Sequence, residues 1–220
     1  MTSGSPAPQP RPTQGTDEWR TISDELLQGL VHALNNRVAA LSAFVELAKL
    51  GDDEGDPLTA LPEEIAQLHR VNALFGLLPE RKSEAEALEL RDVLRDAIHL
   101  HEHHPRLRSQ QVEMKLEGAP AAVRAPRWAL VRALVMLVHA GKRAAEQTRG
   151  GGRFVVRVLA DDDEVSVRVG TDAVPSADLV ALAERCDGSV TTTRDELTLR
   201  LPSLRELRRR ELVAREGPPT

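Results

Sequence analysis

The first third of the chain alternates apolar and polar residues with the period of an α-helix. One helix is expected from about Asp17 or Trp19 to about Leu50, and after an acidic turn a second helix covers roughly Leu58 to Leu78. In the first helix, apolar residues recur at three- and four-residue steps: Leu27, Leu30, Val31, Leu34, Val38, Leu41, Val45 and Ala48. Two striped helices joined by a short turn form a helical hairpin. Because a lone hairpin leaves both stripes half uncovered, we expect two copies to pair as a homodimeric four-helix bundle.

Beyond a charged linker, the pattern mixes helices with strands. The strands alternate apolar and polar residues, whereas the helices keep the three- and four-residue repeat. The expected elements are helices at 91–103, 126–147 and 176–186, strands at 111–117, 122–125, 154–158 and 165–169, and a closing β-hairpin over 189–202. With so few helices the sheet can bury only one face. We therefore predict an α+β chain in which the helical hairpin precedes a two-layer α/β sandwich.

These patterns divide the chain into four segments. Residues 1–17 are rich in proline, serine and glycine and are expected to form a disordered tail. The hairpin occupies 18–79 and the sandwich 88–203. A basic C-terminal tail, helical or frayed, covers 204–220, and its run of arginines is expected to remain solvated.

Composition narrows the class of protein. The net charge of −5 argues against a general nucleic-acid binder, which would need a basic surface. The single cysteine, Cys186, excludes an internal disulfide and a cysteine-based zinc site, which suits a reducing compartment. The most apolar segment, 129–141, is short and contains Arg132, so no membrane span is expected, and no secretory signal is found. A cytoplasmic protein is therefore expected.

His32 and Asn36 are the candidate chemical residues of the first helix. They lie four residues apart, so they share one face, and that face is not the apolar stripe. The helix therefore displays to solvent, beside an amide, a side chain that can accept a proton or a phosphoryl group. Without further context, an ordinary exposed histidine is the more common interpretation of such a residue.

The order of hairpin and sandwich, together with the segment VHALNNRVAAL, resembles the sensor histidine kinases of bacterial two-component systems. In that family the dimerisation helix carries a phosphoryl-accepting histidine, so the resemblance implies this role for His32, with Asn36 as the amide four residues later. Three further segments resemble the family's ATPase domain over the rest of residues 20–203. LELRDVLRDAIHL is similar to its opening strand and helix, PRWALVRALVMLVHAGKRAAE to its magnesium-binding helix, and VSVRVGTD to its adenine-binding strand end.

The chain departs from this family where nucleotide would bind. Met136 and Ala140 fall at the positions of the magnesium-binding asparagines, and a hard cation needs oxygen ligands. Gly170 replaces the adenine-binding aspartate, and Asp172 falls where a glycine should be. No second glycine motif follows that could cradle phosphate. We therefore expect a sandwich that keeps the fold, binds no ATP and uses no cofactor of its own.

A further departure is Ala33, which replaces the acidic residue that follows the accepting histidine in the kinases. Losing a positioned general base costs about 10²–10⁴-fold in rate, so self-phosphorylation is not expected. A neutral imidazole is still a competent nucleophile toward a phosphorylated aspartate whose own domain supplies Mg²⁺. The combination resembles the kinase-derived histidine phosphotransferases, in which His32 would exchange phosphoryl groups with the aspartates of response-regulator receiver domains. In this interpretation Asn36 positions the phosphoryl group or a water, and Arg37 adds positive charge.

Two other functions stay open. The first is a dimeric adaptor or pseudokinase that binds a response regulator or a kinase and never carries phosphate, and Ala33 favours it. The second, less favoured, is an active sensor histidine kinase with an unusual nucleotide site.

The remaining histidines are given structural interpretations. His99 and His103, in the run HLHEHHP, have a two-ligand metal spacing on a helix. Because no second cluster supplies the other ligands in a predictable place, we interpret the histidines of this run as surface residues and expect no metal. His139 is interpreted as an uncharged histidine at the edge of the core, and His69 as solvent-exposed.

Overall fold

The computed structural model describes residues 18–50, 57–80, 83–118, 122–147 and 154–216. The tail predicted at 1–17 and the acidic turn at 51–56 lie outside the described residues. Within them, the order of elements is the predicted one.

The N-terminal part is a helical hairpin, as predicted. Helix α1 runs over Glu18–Leu50, a 3-10 turn over Pro57–Ala60 and helix α2 over Leu61–Phe75, and α1 packs along α2. Helix α2 begins later than predicted because Pro62 is confined to its first turn, where the missing N–H leaves no hydrogen bond unmade, and it ends earlier than predicted, at Phe75.

The second part is an α+β sandwich. Its elements are β1 (Glu86–Glu89), α3 (Leu90–Glu102), β2 (Val112–Gly118), β3 (Ala122–Ala125), α4 (Arg127–Gln147), β4 (Phe154–Ala160), β5 (Glu164–Gly170), α5 (Ala177–Arg185), β6 (Ser189–Thr192), β7 (Glu196–Pro202) and α6 (Leu204–Glu216). The main sheet has the strand order β2-β4-β5-β7-β6; β2 and β4 are parallel and the other neighbours antiparallel. Strands β1 and β3 form a separate antiparallel pair, and β1 begins two residues before the predicted start of the sandwich at 88.

Apolar residues of the main sheet face the helices α3, α4 and α5. Val156 and Val167 are completely buried, whereas Arg157 and Arg168 project from the same strands to the other face. Helix α4 contacts α1, α3, α5 and two strands of the sheet, which explains why it is buried on nearly all sides. The sandwich therefore has two layers, as the alternating pattern predicts.

The first half of α1 belongs to the same hydrophobic core as the sandwich. Ile22, Leu26 and Leu30 are at most 1% exposed and belong to one continuous cluster with residues of α2, α3 and α4. The prediction that Leu30 lies on a stripe left for a second copy is therefore wrong, because Leu30 is already covered within the monomer. The sequence pattern contains two adjacent stripes, and the sandwich buries one of them.

Candidate functional site

The second stripe of α1 remains open along the helix. Leu27, Val31, Val38 and Val45 are 43–50% exposed, although they are large and apolar. With the half-buried Leu34 and Leu41 they follow alternating steps of four and three residues, which is the spacing of a coiled-coil seam. Single exposed apolar residues are ordinary, but a continuous row of this length indicates a surface that pairs with another helix.

His32 lies outside this stripe, on another face of α1, and is exposed, as predicted. The side-chain amide of Asn36 lies one turn later, with Nδ2 3.2 Å from His32 Nε2. With the amide nitrogen as the donor, Nε2 is the acceptor in this contact and the ring proton is on Nδ1. The two predicted site residues are therefore brought together, with Nε2 of His32 facing Asn36.

Arg37 of α1 forms an ion pair with α2, the other helix of the hairpin. Its guanidinium donates to both carboxylate oxygens of Glu64 on α2, at 3.0 and 3.2 Å. Both hydrogen bonds come from the single nitrogen Nη1, and the Glu64 side chain is only 18% exposed. Arg37 therefore links α1 to α2, and its charge is balanced before any phosphoryl group arrives.

The sandwich reaches α1 one turn before His32. A Cβ placed on Gly29 would lie 1.6 Å from the backbone oxygen of His103, which follows α3. Only a glycine permits two backbones to approach so closely. The end of α3 thus lies directly against the helix that carries the candidate site.

The residues that the resemblance places at the nucleotide site lie partly in the core and partly beside an open cavity. Met136 is 3% exposed and packs in the core, so the position of a magnesium-binding amide is apolar and sealed. At the end of β5, an open cavity of about 620 Å³ lies beside Gly170 and Asp172. Its lining combines arginines with carboxylates: Arg157, Arg168, Asp172, Asp195 and Glu196. The cavity therefore carries charges of both signs, and Arg168 lies 3.8 Å from the carboxylate of Glu196.

The run HLHEHHP contains two buried histidines that the sequence interpretation missed. His99 is exposed, but His101 and His104 are 0% and 1% exposed, so their interpretation as surface histidines is wrong. His101 lies on the buried face of α3 together with Ala97 and Leu100. His101 follows the buried Ala97 by four residues, and this helical spacing was a signal for its burial, but only His139 was assigned to the core. Burial lowers the pKa of His139 to about 3, so that ring is uncharged as predicted.

No set of described residues is arranged to hold a metal. Among these residues, no group of three or more histidine, cysteine, aspartate or glutamate side chains has the required geometry. Cys186 is buried, and burial together with Asp187 raises the pKa of its thiol to about 12, so it is not a reactive thiolate. The described helices also include none with the length and apolar content that crossing a bilayer requires.

Comparison with known proteins gives matches in structure only. No protein-family profile matches the sequence, and no curated protein matches it. The Acinetobacter baumannii histidine kinase AdeS is 10% identical with a TM-score of 0.45, over 81% of this chain and 97% of that chain. Histidine kinase ThkA, solved in complex with the response regulator protein TrrA, is 17% identical with a TM-score of 0.44, over 86% and 65%. A bacterial phosphotransferase is 13% identical with a TM-score of 0.39, over 82% and 95%. These likenesses concern the fold alone and say nothing about the chemistry of this chain.

Proposed function

We propose that the chain is a histidine phosphotransferase of two-component signalling, in which His32 exchanges phosphoryl groups with receiver-domain aspartates. The observation that carries the proposal is the exposed imidazole of His32, whose Nε2 lone pair faces the amide of Asn36 on a long helix. A nucleophile displayed on a rigid support suits a reaction that depends mainly on in-line positioning.

In the transfer step, the Nε2 lone pair attacks the phosphorus of an aspartyl phosphate on the partner. The N–P bond forms as the P–O bond to the aspartate breaks, and the partner regains its carboxylate. The ring keeps its Nδ1 proton during the step and can release it to water afterwards. The amide of Asn36, 3.2 Å from Nε2, then lies within reach of a phosphoryl oxygen and can donate to it. The partner brings its own Mg²⁺.

Two features of the chain argue against ATP as the phosphoryl donor. Ala33 offers no side-chain base next to His32, and Met136 offers no oxygen to a metal. We therefore assign residues 18–79 to phosphoryl acceptance and dimerisation, and residues 88–203 to a structural role without nucleotide. A nucleotide titration tests this assignment, since binding of ATP at micromolar concentration would contradict it.

A transfer assay tests the role of His32. A panel of receiver domains, phosphorylated beforehand, is mixed with the wild-type chain and with His32→Gln, and acid-labile phosphate on the chain is measured. We expect rapid labelling of the wild type and none of His32→Gln, while Asn36→Ala slows transfer about 10–100-fold because it removes a donor to a charged group. The control is His69→Gln on α2, an exposed histidine that lies away from Asn36.

A homodimer accounts for the open stripe, and one substitution tests it. Val38, 50% exposed, lies within the seam. Val38→Glu would place two carboxylates in the apolar contact of a symmetric dimer, so we expect dimerisation to weaken at least about 100-fold. Sedimentation analysis measures this change. Ala43→Glu, on the exposed face away from the seam, is the matched control, and equal association of the two variants would contradict the dimer.

A non-catalytic adaptor is the second candidate. The ion pair of Arg37 with Glu64 favours it, because the charge of Arg37 is already balanced and is not free to neutralise a phosphoryl group. An adaptor would bind receivers equally well with His32 or Gln at position 32 and would never become labelled. Binding without label across the receiver panel therefore supports the adaptor and rejects the phosphotransferase.

A further inference from the structure

Three histidine rings are buried together where α1 meets the sandwich. His101 of α3, His104 just after α3 and His139 of α4 are 0%, 1% and 6% exposed. Their ring centroids are 5.8, 5.6 and 5.3 Å apart, so each ring neighbours the other two. We call these three residues the histidine joint. Buried histidines in mutual contact are costly to protonate, because each added charge loses its water and repels the next.

Hydrogen bonds place the ring proton of two of the rings on Nε2. His104 Nδ1 accepts the backbone N–H groups of Arg106 and Leu107, both at 3.2 Å, so its ring proton is on Nε2. Nε2 of His101 donates to the backbone oxygen of Val135 at 2.9 Å. A second proton on His104 would therefore break both of its backbone hydrogen bonds.

Nδ1 of His101 and Nδ1 of His139 each lack an acceptor for an added proton among the described residues. Within the part of the chain that the structure describes, Nδ1 of His101 and Nδ1 of His139 are buried and have no hydrogen-bond partner. Burial is the main cause that lowers the pKa of all three histidines, to about 3 for His139 and well below the usual value for His101. The joint is neutral at pH 7 and cannot take up protons without a structural change.

The charges around the joint are mostly positive. Helix α4 contributes Lys142, whose amino group is buried and donates to the backbone oxygen of Leu107 at 3.3 Å, and also Arg143. The segment after α3 contributes Arg106, and α3 itself contributes Glu102, whose charge acts on Lys142. Burial also removes Lys142 from water and lowers its pKa to about 8. One carboxylate of α1, Glu25, contacts the joint directly.

Glu25 connects the joint to α1. Its carboxylate accepts from His104 Nε2 at 3.0 Å and lies 3.6 Å from the guanidinium of Arg106. One turn later, the backbone of α1 at Gly29 touches His103. The joint and its neighbours are therefore one polar part of the contact between α1 and the sandwich; the backbone N–H of Trp19, which donates to Asp178 of α5 at 3.2 Å, is another.

We propose that the histidine joint is a proton-sensitive latch, and that protonation of its rings releases the first half of α1 from the sandwich while both parts remain folded. Each ring is neutral when docked and free to bind a proton when released. Below pH ~6.5, each ring therefore lowers the docking equilibrium constant by up to about tenfold for each unit of falling pH. The three rings together lower it by up to about 10³-fold for each unit. This latch is a property of the fold and does not rest on phosphoryl transfer to His32.

The chain contains its own reporter for release. Its two tryptophans, Trp19 of α1 and Trp128 of α4, lie on either side of the guanidinium of Arg132, at 4.9 and 5.1 Å from ring centroid to Cζ. Separation of α1 from α4 exposes both rings to water. We expect the tryptophan emission to shift to the red between pH ~7 and ~5, while far-UV circular dichroism keeps its helical signal. Loss of both signals at one midpoint would mean global unfolding and would overturn the latch.

Substitutions in the joint test its part in this transition. His139→Leu removes one proton-binding ring. For each unit of falling pH, its docking equilibrium constant should therefore decrease by a factor about tenfold smaller than in the wild type. Glu25→Gln keeps the rings but removes the carboxylate that stabilises a protonated His104, so its midpoint should move to higher pH. His99→Gln, on the exposed face of α3, should behave as the wild type. If His139→Leu has the same slope as the wild type, the proposal is overturned. If His139→Leu fails to fold, an unchanged midpoint in Glu25→Gln overturns it instead.

Discussion

Gly29→Ala is expected to lower the free energy of unfolding by at least about 2 kcal/mol. The added Cβ would lie 1.6 Å from the backbone oxygen of His103 and 2.7 Å from its carbonyl carbon. Overpacking typically costs about 1–3 kcal/mol, and here both partners are backbone and cannot rotate away. An alanine in a helix gains about 1 kcal/mol in propensity, which offsets only part of this cost. Urea denaturation followed by circular dichroism measures the difference.

Gly170→Ala is the matched control for this substitution. The nearest atom to a Cβ at Gly170 is the backbone oxygen of Asp195 at 3.9 Å, an ordinary contact distance. We expect its stability to stay within about 0.5 kcal/mol of the wild type. If Gly29→Ala were as stable as Gly170→Ala, the end of α3 would not touch α1 as described.

Leu26→Ala is expected to lower the free energy of unfolding by about 2–5 kcal/mol, the usual cost of a large cavity in a packed core. Leu26 is completely buried in the cluster that α1 shares with the sandwich. The neighbouring Leu27 is 43% exposed on the open stripe, so Leu27→Ala should cost less than about 1 kcal/mol. Urea denaturation at one protein concentration compares the two variants.

The effects of the same two substitutions on self-association should rank in the opposite order. Leu27→Ala removes apolar area from the seam and should weaken dimerisation, whereas Leu26→Ala should leave the association of folded chains unchanged. Sedimentation of both variants under native conditions measures this. A larger loss of stability in Leu27→Ala than in Leu26→Ala would contradict the division of α1 into a covered and an open stripe.

Hydrophobic periodicity was sufficient to predict the fold class and nearly every element. Alternating valines in β4 and β5 can bury only one face of a strand, and the observed strands extend the predicted ones by one or two residues. Helix ends were less predictable where tertiary contacts decide them. The strand β1 falls in a charged segment with a single buried residue, Leu88, and exists because it pairs with β3.

The site was only partly predictable for a physical reason. His32 and Asn36 lie four residues apart on one helix, so their contact follows from local geometry alone. The partner of Arg37 lies on α2, and the rings of the histidine joint lie on α3, after α3 and on α4. Contacts between distant segments depend on how the hairpin docks on the sandwich, which residue spacing along a single helix does not specify.

The covered half of α1 shows the same limit. A period near 3.6 predicts which residues share a face, but it does not say which of two adjacent apolar stripes meets the sandwich and which stays open. Ile22, Leu26 and Leu30 meet it because Gly29 and Glu25 lie beside them, where the end of α3 fits. The open stripe keeps the heptad spacing, and His32 lies outside both.

The position of the label after transfer from a phosphorylated receiver domain tests the central claim most directly. Peptides of the wild-type chain, kept at neutral to alkaline pH to preserve phosphohistidine, are mapped by mass spectrometry. The proposed function predicts phosphate on the peptide that contains His32 and on no other histidine, without added ATP. Phosphate on another residue, or none after exposure to every phosphorylated receiver of the same cell, would contradict it.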